Sequence, residues 1–302
     1  MEDWQKLLSN CTLCPRNCGV DRMNGWVGYC GVPGRITAAR AALHLWEEPC
    51  LVGEKGSGTV FFSGCNLKCV YCQNHDIAVA RTGKEISISR LAEIFLELQQ
   101  KGAANINLVT PSHYIPQICE SLLVAKEDGL TLPVVYNTGG YEKVSSLKML
   151  EGLVDVYLPD FKYVSSELSG EYSYASDYFA CACEALAEMY RQTGPCRFDE
   201  KGLLKRGVLV RHLLLPGQTK DSKKVLHYLH DTYGNNIWIS IMNQYTPLAH
   251  VTDMPLLNRP VSEEEYARVV NYAVRLGIEN AFVQEGETAQ ESFIPLFDLE
   301  GV

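Results

Sequence analysis

The chain has 302 residues, of which 46% are hydrophobic and 21% charged, enough to bury one large core or two modest ones and too apolar for a disordered chain. Its 36 acidic and 27 basic side chains leave a net charge of −9, which opposes charge-driven binding to nucleic-acid phosphates or anionic lipid. No run of about 18 apolar residues occurs, and Met1-Glu2-Asp3-Trp4 carries acid where an export signal needs basic residues, so a soluble cytoplasmic protein without a membrane or nucleic-acid partner is expected.

In chain order, residues 1–55 come first, rich in Cys, Gly and Pro and outside the alternating rhythm of the later residues. They read as a short cysteine-rich N-terminal appendage to a core of residues 56–302, not as an independent domain. Twelve cysteines without an export signal argue against a disulfide framework, because the cytosol keeps thiols reduced. Four of them, Cys11, Cys14, Cys18 and Cys30, crowd this segment, with Gly19, Gly25, Gly28 and Gly31 supplying tight turns. Four thiolates suit a closed second metal site, either a zinc staple or an iron–sulfur cluster; free thiols are the alternative. Cys50, Cys119, Cys181, Cys183 and Cys196 are scattered and read as buried, inert thiols.

From residue 58 the pattern alternates between β-branched or aromatic runs and amphipathic stretches, the sign of βα units around a parallel sheet. Strands are predicted at residues 59–62, 106–109, 132–136, 154–158, 207–211 and 237–241, with a short extra one at 281–283. Leu91, Ile94, Phe95 and Leu98 mark one face of a helix over 89–101, capped by Ser89. Further helices fit residues 114–128, 142–151, 176–192, 220–233 and 262–276. Six βα units are too few for the usual eight-stranded barrel. The fold class expected is therefore α/β, a partial (β/α)6 barrel, with its ligand site at the C-terminal strand ends.

Directly after the first predicted strand runs Ser63-Gly64-Cys65-Asn66-Leu67-Lys68-Cys69-Val70-Tyr71-Cys72. Three thiolates on one loop can converge on an inorganic cluster, whose soft iron favours sulfur. A 4Fe–4S cluster has four irons, so three cysteines leave one open to a small molecule. Structural zinc wants four closed ligands, with the nearby His75 as a conceivable fourth. Later strand ends add polar groups: Thr110 and Ser112 offer acceptors for an ammonium group, Asn137 opens an Asn-Thr-Gly-Gly segment, and Asp160 and Lys162 share a strand face. Arg211 can grip a carboxylate through two parallel hydrogen bonds, and His212 should face the other way. His75, His113, His227, His230 and His250 lack partners at ligand spacing and read as structural or solvated.

The C-x3-C-x2-C spacing with Tyr71 before the last cysteine resembles the radical S-adenosylmethionine (radical SAM) superfamily. The resemblance implies a radical SAM partial barrel in which Cys65, Cys69 and Cys72 hold the cluster and its open iron chelates S-adenosylmethionine. One-electron reduction then releases a 5′-deoxyadenosyl radical that abstracts hydrogen. The superfamily often has Gly-Gly-Glu where this chain has Thr110-Pro111-Ser112. Asn137, Asp160-x-Lys162 and Arg211-His212-x-x-x-Pro216-Gly217 are similar to segments of glycyl-radical-enzyme activating enzymes, which commonly carry a second Asp where this chain has Ser165. The Cys11 to Cys18 motif, His44-Leu45-Trp46-Glu47-Glu48-Pro49 and Gly56-Ser57-Gly58 resemble the PflX-like homologues of the pyruvate formate-lyase activating enzyme. Matching segments run from residue 11 to about 247 and on to Gln284-Glu285-Gly286-Glu287. That likeness implies a flavodoxin or ferredoxin electron donor and a protein substrate; Tyr71, Thr110, Ser112, Asn137, Asp160, Lys162 and Arg211 are the expected cofactor-binding residues. A small molecule or another macromolecule is the alternative substrate, and a non-catalytic iron–sulfur carrier or zinc module the alternative of another class.

Overall fold

The computed structural model describes residues 4–284 and 295–302; Glu285, Gly286 and Glu287 of the last matching segment lie outside them. Among the described residues ten strands form one sheet: β1 (Ile36–His44), β2 (Ser57–Phe62), β3 (Lys84–Ile86), β4 (Ile106–Val109), β5 (Val134–Thr138), β6 (Val156–Pro159), β7 (Arg197–Phe198), β8 (Leu204–Leu213), β9 (Trp238–Met242) and β10 (Ala281–Val283). The spatial order is β10-β9-β8-β6-β5-β4-β2-β1-β3, with β7 paired to β8. From β2 through β10 the main path is parallel in register. It includes six of the predicted strands, and the short seventh adds to its edge. The two ends of the path do not pair, so the barrel is partial.

Every residue of β2, β4, β5 and β6 is buried, as expected for parallel strands covered on both faces. Strand alternation sorts them into two layers. Val134, Tyr136, Tyr157, Val208 and Val210 face the helices in the main core. Val135, Val156, Leu158 and Leu209 face inward, where they pack on Cys50 and Leu51. Counting on by twos along each strand brings Asn137, Asp160 and Arg211 to the inner face, at the C-terminal ends.

The helices are α1 (Trp4–Ser9), α2 (Pro49–Val52), α3 (His75–Ala78), α4 (Ile88–Gln100), α5 (Ile115–Glu127), α6 (Val144–Leu147), α7 (Ser166–Ser173), α8 (Tyr178–Thr193), α9 (Thr219–Tyr233) and α10 (Glu263–Leu276). No helix among the described residues is long and apolar enough to cross a membrane. The cap of α4 is Ser87, which accepts from the Arg90 amide, and not Ser89. The helix expected at 142–151 is a single α-turn, α6, followed by a 3-10 turn at Lys148–Leu150.

Residues 1–55 join the sheet and its inner layer. Within them β1 pairs antiparallel with β2 and β3, and α2, opened by Pro49, supplies the inner-layer residues Cys50 and Leu51. The cysteine-bearing stretch docks through Ser146, whose hydroxyl donates to the Leu13 carbonyl at 2.7 Å, and Lys143, which donates to the Thr12 carbonyl at 3.0 Å.

Candidate active site

A cavity of about 540 Å³ opens at the C-terminal strand ends. Cys65, Cys69 and Cys72 all line it, together with Asp160, Lys162 and Arg211. The loop that carries the thiols leaves β2 through Gly64, whose φ of 88° and closeness to Cys30 exclude a side chain: a Cβ there would sit 2.8 Å from the Cys30 carbonyl oxygen. Asn66 then ties the loop to the β5 end, donating to the Tyr141 carbonyl at 2.7 Å. The Val70 amide donates to the Tyr172 carbonyl at 2.9 Å, and the Tyr29 hydroxyl to the Leu67 carbonyl at 3.1 Å.

Two of the sulfurs accept hydrogen bonds, from the Leu67 amide at 3.4 Å for Cys65 and from the Ser173 hydroxyl at 2.9 Å for Cys69. Burial, followed by the neighbouring thiols, raises the pKa of Cys65 and of Cys72, while Lys162 pulls both downward. As bare thiols they hold their protons, so a metal centre must displace them.

In the same cavity the strand ends form one ionic network. Asp160 bridges two cations, accepting from Lys162 Nζ at 2.7 Å and Arg211 Nε at 2.9 Å. Burial alone would raise its pKa; Arg211 and then Lys162 hold it below the ordinary value. Arg211 Nη2 also donates to Asn137 Oδ1 at 2.6 Å, and Nη1 to Glu47 Oε1 at 3.3 Å. Glu47 Oε2 accepts from Asn107 at 2.7 Å and from Asn137 at 3.2 Å. Burial pushes the adjacent Glu48 carboxyl up to about 7, partly offset by Arg211. Gly140 makes the crowding possible, since a Cβ at its φ of 81° would overlap the Asp160 carbonyl.

Of the residues singled out in the sequence, Tyr71, Thr110, Asn137, Asp160, Lys162 and Arg211 line this cavity. Tyr71 is held by Tyr163, whose hydroxyl lies 2.6 Å away. Ser112 does not line it. Thr110 turns the backbone left-handed at φ 59°, and the Ser112 hydroxyl donates instead to Glu142, a buried carboxyl that also accepts from Thr138. His212 faces away from Arg211 as expected, with Nδ1 2.8 Å from the Phe161 carbonyl oxygen. Ser165 caps α7 by accepting from the Leu168 amide at 3.3 Å.

Sequence reasoning assigns no role to Glu47, Glu48, Tyr163 or Ser173. The acidic pair before Pro49 is a visible signal; the hydroxyl contact to Cys69 spans 104 residues and leaves none.

Fold and site together define an α/β partial-barrel protein with a three-thiolate loop at the mouth of its sheet. Residues 59–229 match the family model of the Radical SAM superfamily, and the chain belongs to that superfamily. It is 28% identical over 285 residues to the uncharacterized protein MJ0674 of Methanocaldococcus jannaschii, covering 91% of this chain and 77% of that one. The uncharacterized protein MJ0808 of the same organism is 22% identical over 321 residues, covering 97% and 87%. Among solved structures the fold is similar to methylornithine synthase (PylB; TM-score 0.50, 14% identity, covering 72% of this chain and 60% of that one). It is also similar to Streptococcus suis SuiB bound to its precursor peptide SuiA (TM-score 0.51, 11% identity, 74% and 47%) and to the FeFe-hydrogenase maturase HydG of Carboxydothermus hydrogenoformans (TM-score 0.51, 12% identity, 78% and 56%). The chain thus spans less than two thirds of the length of these solved relatives.

Members of the superfamily are enzymes that use a 4Fe–4S cluster and S-adenosylmethionine. The donor set fits both groups: three soft ligands line one cavity, and the same cavity carries cations and carboxylates suited to a zwitterion.

Proposed function

We propose that the chain is a PflX-like activating enzyme that abstracts a hydrogen atom from a glycine of a partner protein. Cys65, Cys69 and Cys72 would hold the 4Fe–4S cluster; together with S-adenosylmethionine it supplies one-electron reduction and hydrogen abstraction. The observation that carries this reading is the count of protein ligands: three thiols on the cavity wall, where a ferredoxin-like carrier uses four for each cluster.

The chain's own residues bind and orient. Arg211, fixed in its rotamer by Asp160, Asn137 and Glu47, sets a positive charge on the cavity wall for a carboxylate, and Lys162 keeps a second one beside the thiols. Glu47 offers the negative charge for an ammonium group that the Thr110-Pro111-Ser112 segment lacks. Trp46, Phe282 and Tyr245 add apolar surface to the same cavity. A flavodoxin or ferredoxin is the reductant this reading requires, and the SuiB–SuiA complex is a precedent within the fold for a peptide substrate.

The test is isotopic. Reconstituted, reduced enzyme is mixed with S-adenosylmethionine and an anaerobic extract of source cells grown on α-deuterated glycine. Deuterium appearing in 5′-deoxyadenosine supports a glycine substrate. Product that forms without deuterium contradicts it and points to a small molecule or another macromolecule.

A further inference from the structure

The N-terminal cysteines surround a buried cation. Arg22 is 1% exposed, and its guanidinium donates to three carbonyl oxygens, those of Val32 at 3.2 Å, His113 at 2.7 Å and Pro33 at 2.8 Å. Its Nη1 also lies 3.8 Å from Cys11 Sγ. Among the described residues no carboxylate pairs with it. A guanidinium sealed from water with carbonyl dipoles alone is costly, and an anion in the same pocket removes the cost. The groups beside it that can become anionic are the thiols of Cys11 and Cys30.

The four thiols form one electrostatic set: Cys14 interacts with Cys11 and Cys30, and Cys30 with Cys11 and Cys18. Backbone bonds fold the segment around them. The Gly19 amide donates to the Cys11 carbonyl at 2.9 Å, the Cys11 amide to the Val20 carbonyl at 3.0 Å, and the Tyr29 amide to Cys18 Sγ at 3.3 Å. A Cβ on Gly28 would stand 2.9 Å from Cys18 Sγ, so the closeness requires glycine. Among the described residues no three His, Cys, Asp or Glu side chains meet around the position of one metal ion. A lone zinc would have to draw these thiols together, whereas a cubane spreads its thiolates over four irons. Cys65, Cys69 and Cys72 likewise form no such group among the described residues.

We infer that Cys11, Cys14, Cys18 and Cys30 bind a second, closed 4Fe–4S cluster, with Arg22 as its buried counter-charge. This centre abuts the three-cysteine loop. The Cys30 carbonyl packs on Gly64, and Arg16, between Cys14 and Cys18, donates to the Asn66 carbonyl at 2.8 Å and the Ser173 carbonyl at 3.2 Å. The two centres would share a wall.

The decisive protein is the full chain with Cys65→Ala, Cys69→Ala and Cys72→Ala together, which leaves the N-terminal set intact and cannot report on the first cluster. Purified anaerobically and shown to melt cooperatively, it should retain about four irons and about four sulfides per chain, with the visible and Mössbauer signature of a cubane. Adding Cys14→Ser and Cys18→Ser should bring iron and sulfide to near zero. No iron in the triple variant, a single zinc without sulfide, or iron that survives the added serines would overturn the assignment. None of these results depends on cleavage of S-adenosylmethionine.

Discussion

Ser173, at the C-terminal end of α7, donates a 2.9 Å hydrogen bond to the sulfur of Cys69 across 104 residues of sequence. Tyr163 lies 2.8 Å from the same hydroxyl and 2.6 Å from that of Tyr71, so a buried polar chain runs from the loop's aromatic residue to its central thiol. Hydrogen bonds to cluster sulfurs stabilise the more negative, reduced state. Ser173→Ala should lower the midpoint potential of the reconstituted cluster by about 40 mV, the one-electron equivalent of ~1 kcal/mol. An EPR-monitored redox titration reads this directly, and an unchanged potential would show that the contact is only structural.

Among the described residues Asp160 is the one carboxylate that touches both Lys162 and Arg211, and all three side chains are less than a quarter exposed. Asp160→Asn keeps the shape, strands Lys162 and leaves Arg211 with Glu47 at 3.3 Å as its carboxylate partner. A stability loss of about 3 kcal/mol is expected in urea unfolding at pH 7. A loss below ~0.5 kcal/mol would mean that the network is solvated.

Arg211→Lys keeps the charge and removes the fork that meets Asn137 and Asp160 together. Calorimetric titration of the reconstituted protein with S-adenosylmethionine should show affinity weaker by about tenfold or more. Equal affinity would remove Arg211 from the binding wall.

Glu142 is 2% exposed, and burial pushes its carboxyl up to about 7 although Ser112, Thr138 and Tyr136 donate to it. An unfolded chain releases that proton near the ordinary value of 4.5. Between these two values the folded state binds more protons, so this group makes stability fall as pH rises. Glu142→Gln removes the effect. Its stability relative to the parent should improve by roughly 3 kcal/mol between about pH 4.5 and 8. A difference that stays constant across that range would mean Glu142 is ionised in the fold throughout.

The parallel core is legible in the sequence because strands buried on both faces are continuous apolar runs, and the cluster loop because its three thiols are local. Period-two alternation alone places Arg211 and His212 on opposite faces. Strand β1 is hidden because Ile36-Thr37-Ala38-Ala39-Arg40-Ala41-Ala42-Leu43-His44 is rich in alanine, a poor strand former, and draws its strand state from pairing with β2. Ser112 misleads because the left-handed turn at Thr110 and the buried Glu142 are tertiary facts. Glu47 meets Arg211 across 164 residues, a separation at which no local pattern speaks.

The central claim is that three thiols, and no fourth, hold a cluster open to S-adenosylmethionine. Anaerobic, dithionite-reduced protein should convert S-adenosylmethionine to 5′-deoxyadenosine and methionine in equal amounts, and Cys69→Ala should yield neither while melting like a folded chain. A parent protein with its loop cluster intact and no product, or a Cys69→Ala variant with undiminished product, would contradict it.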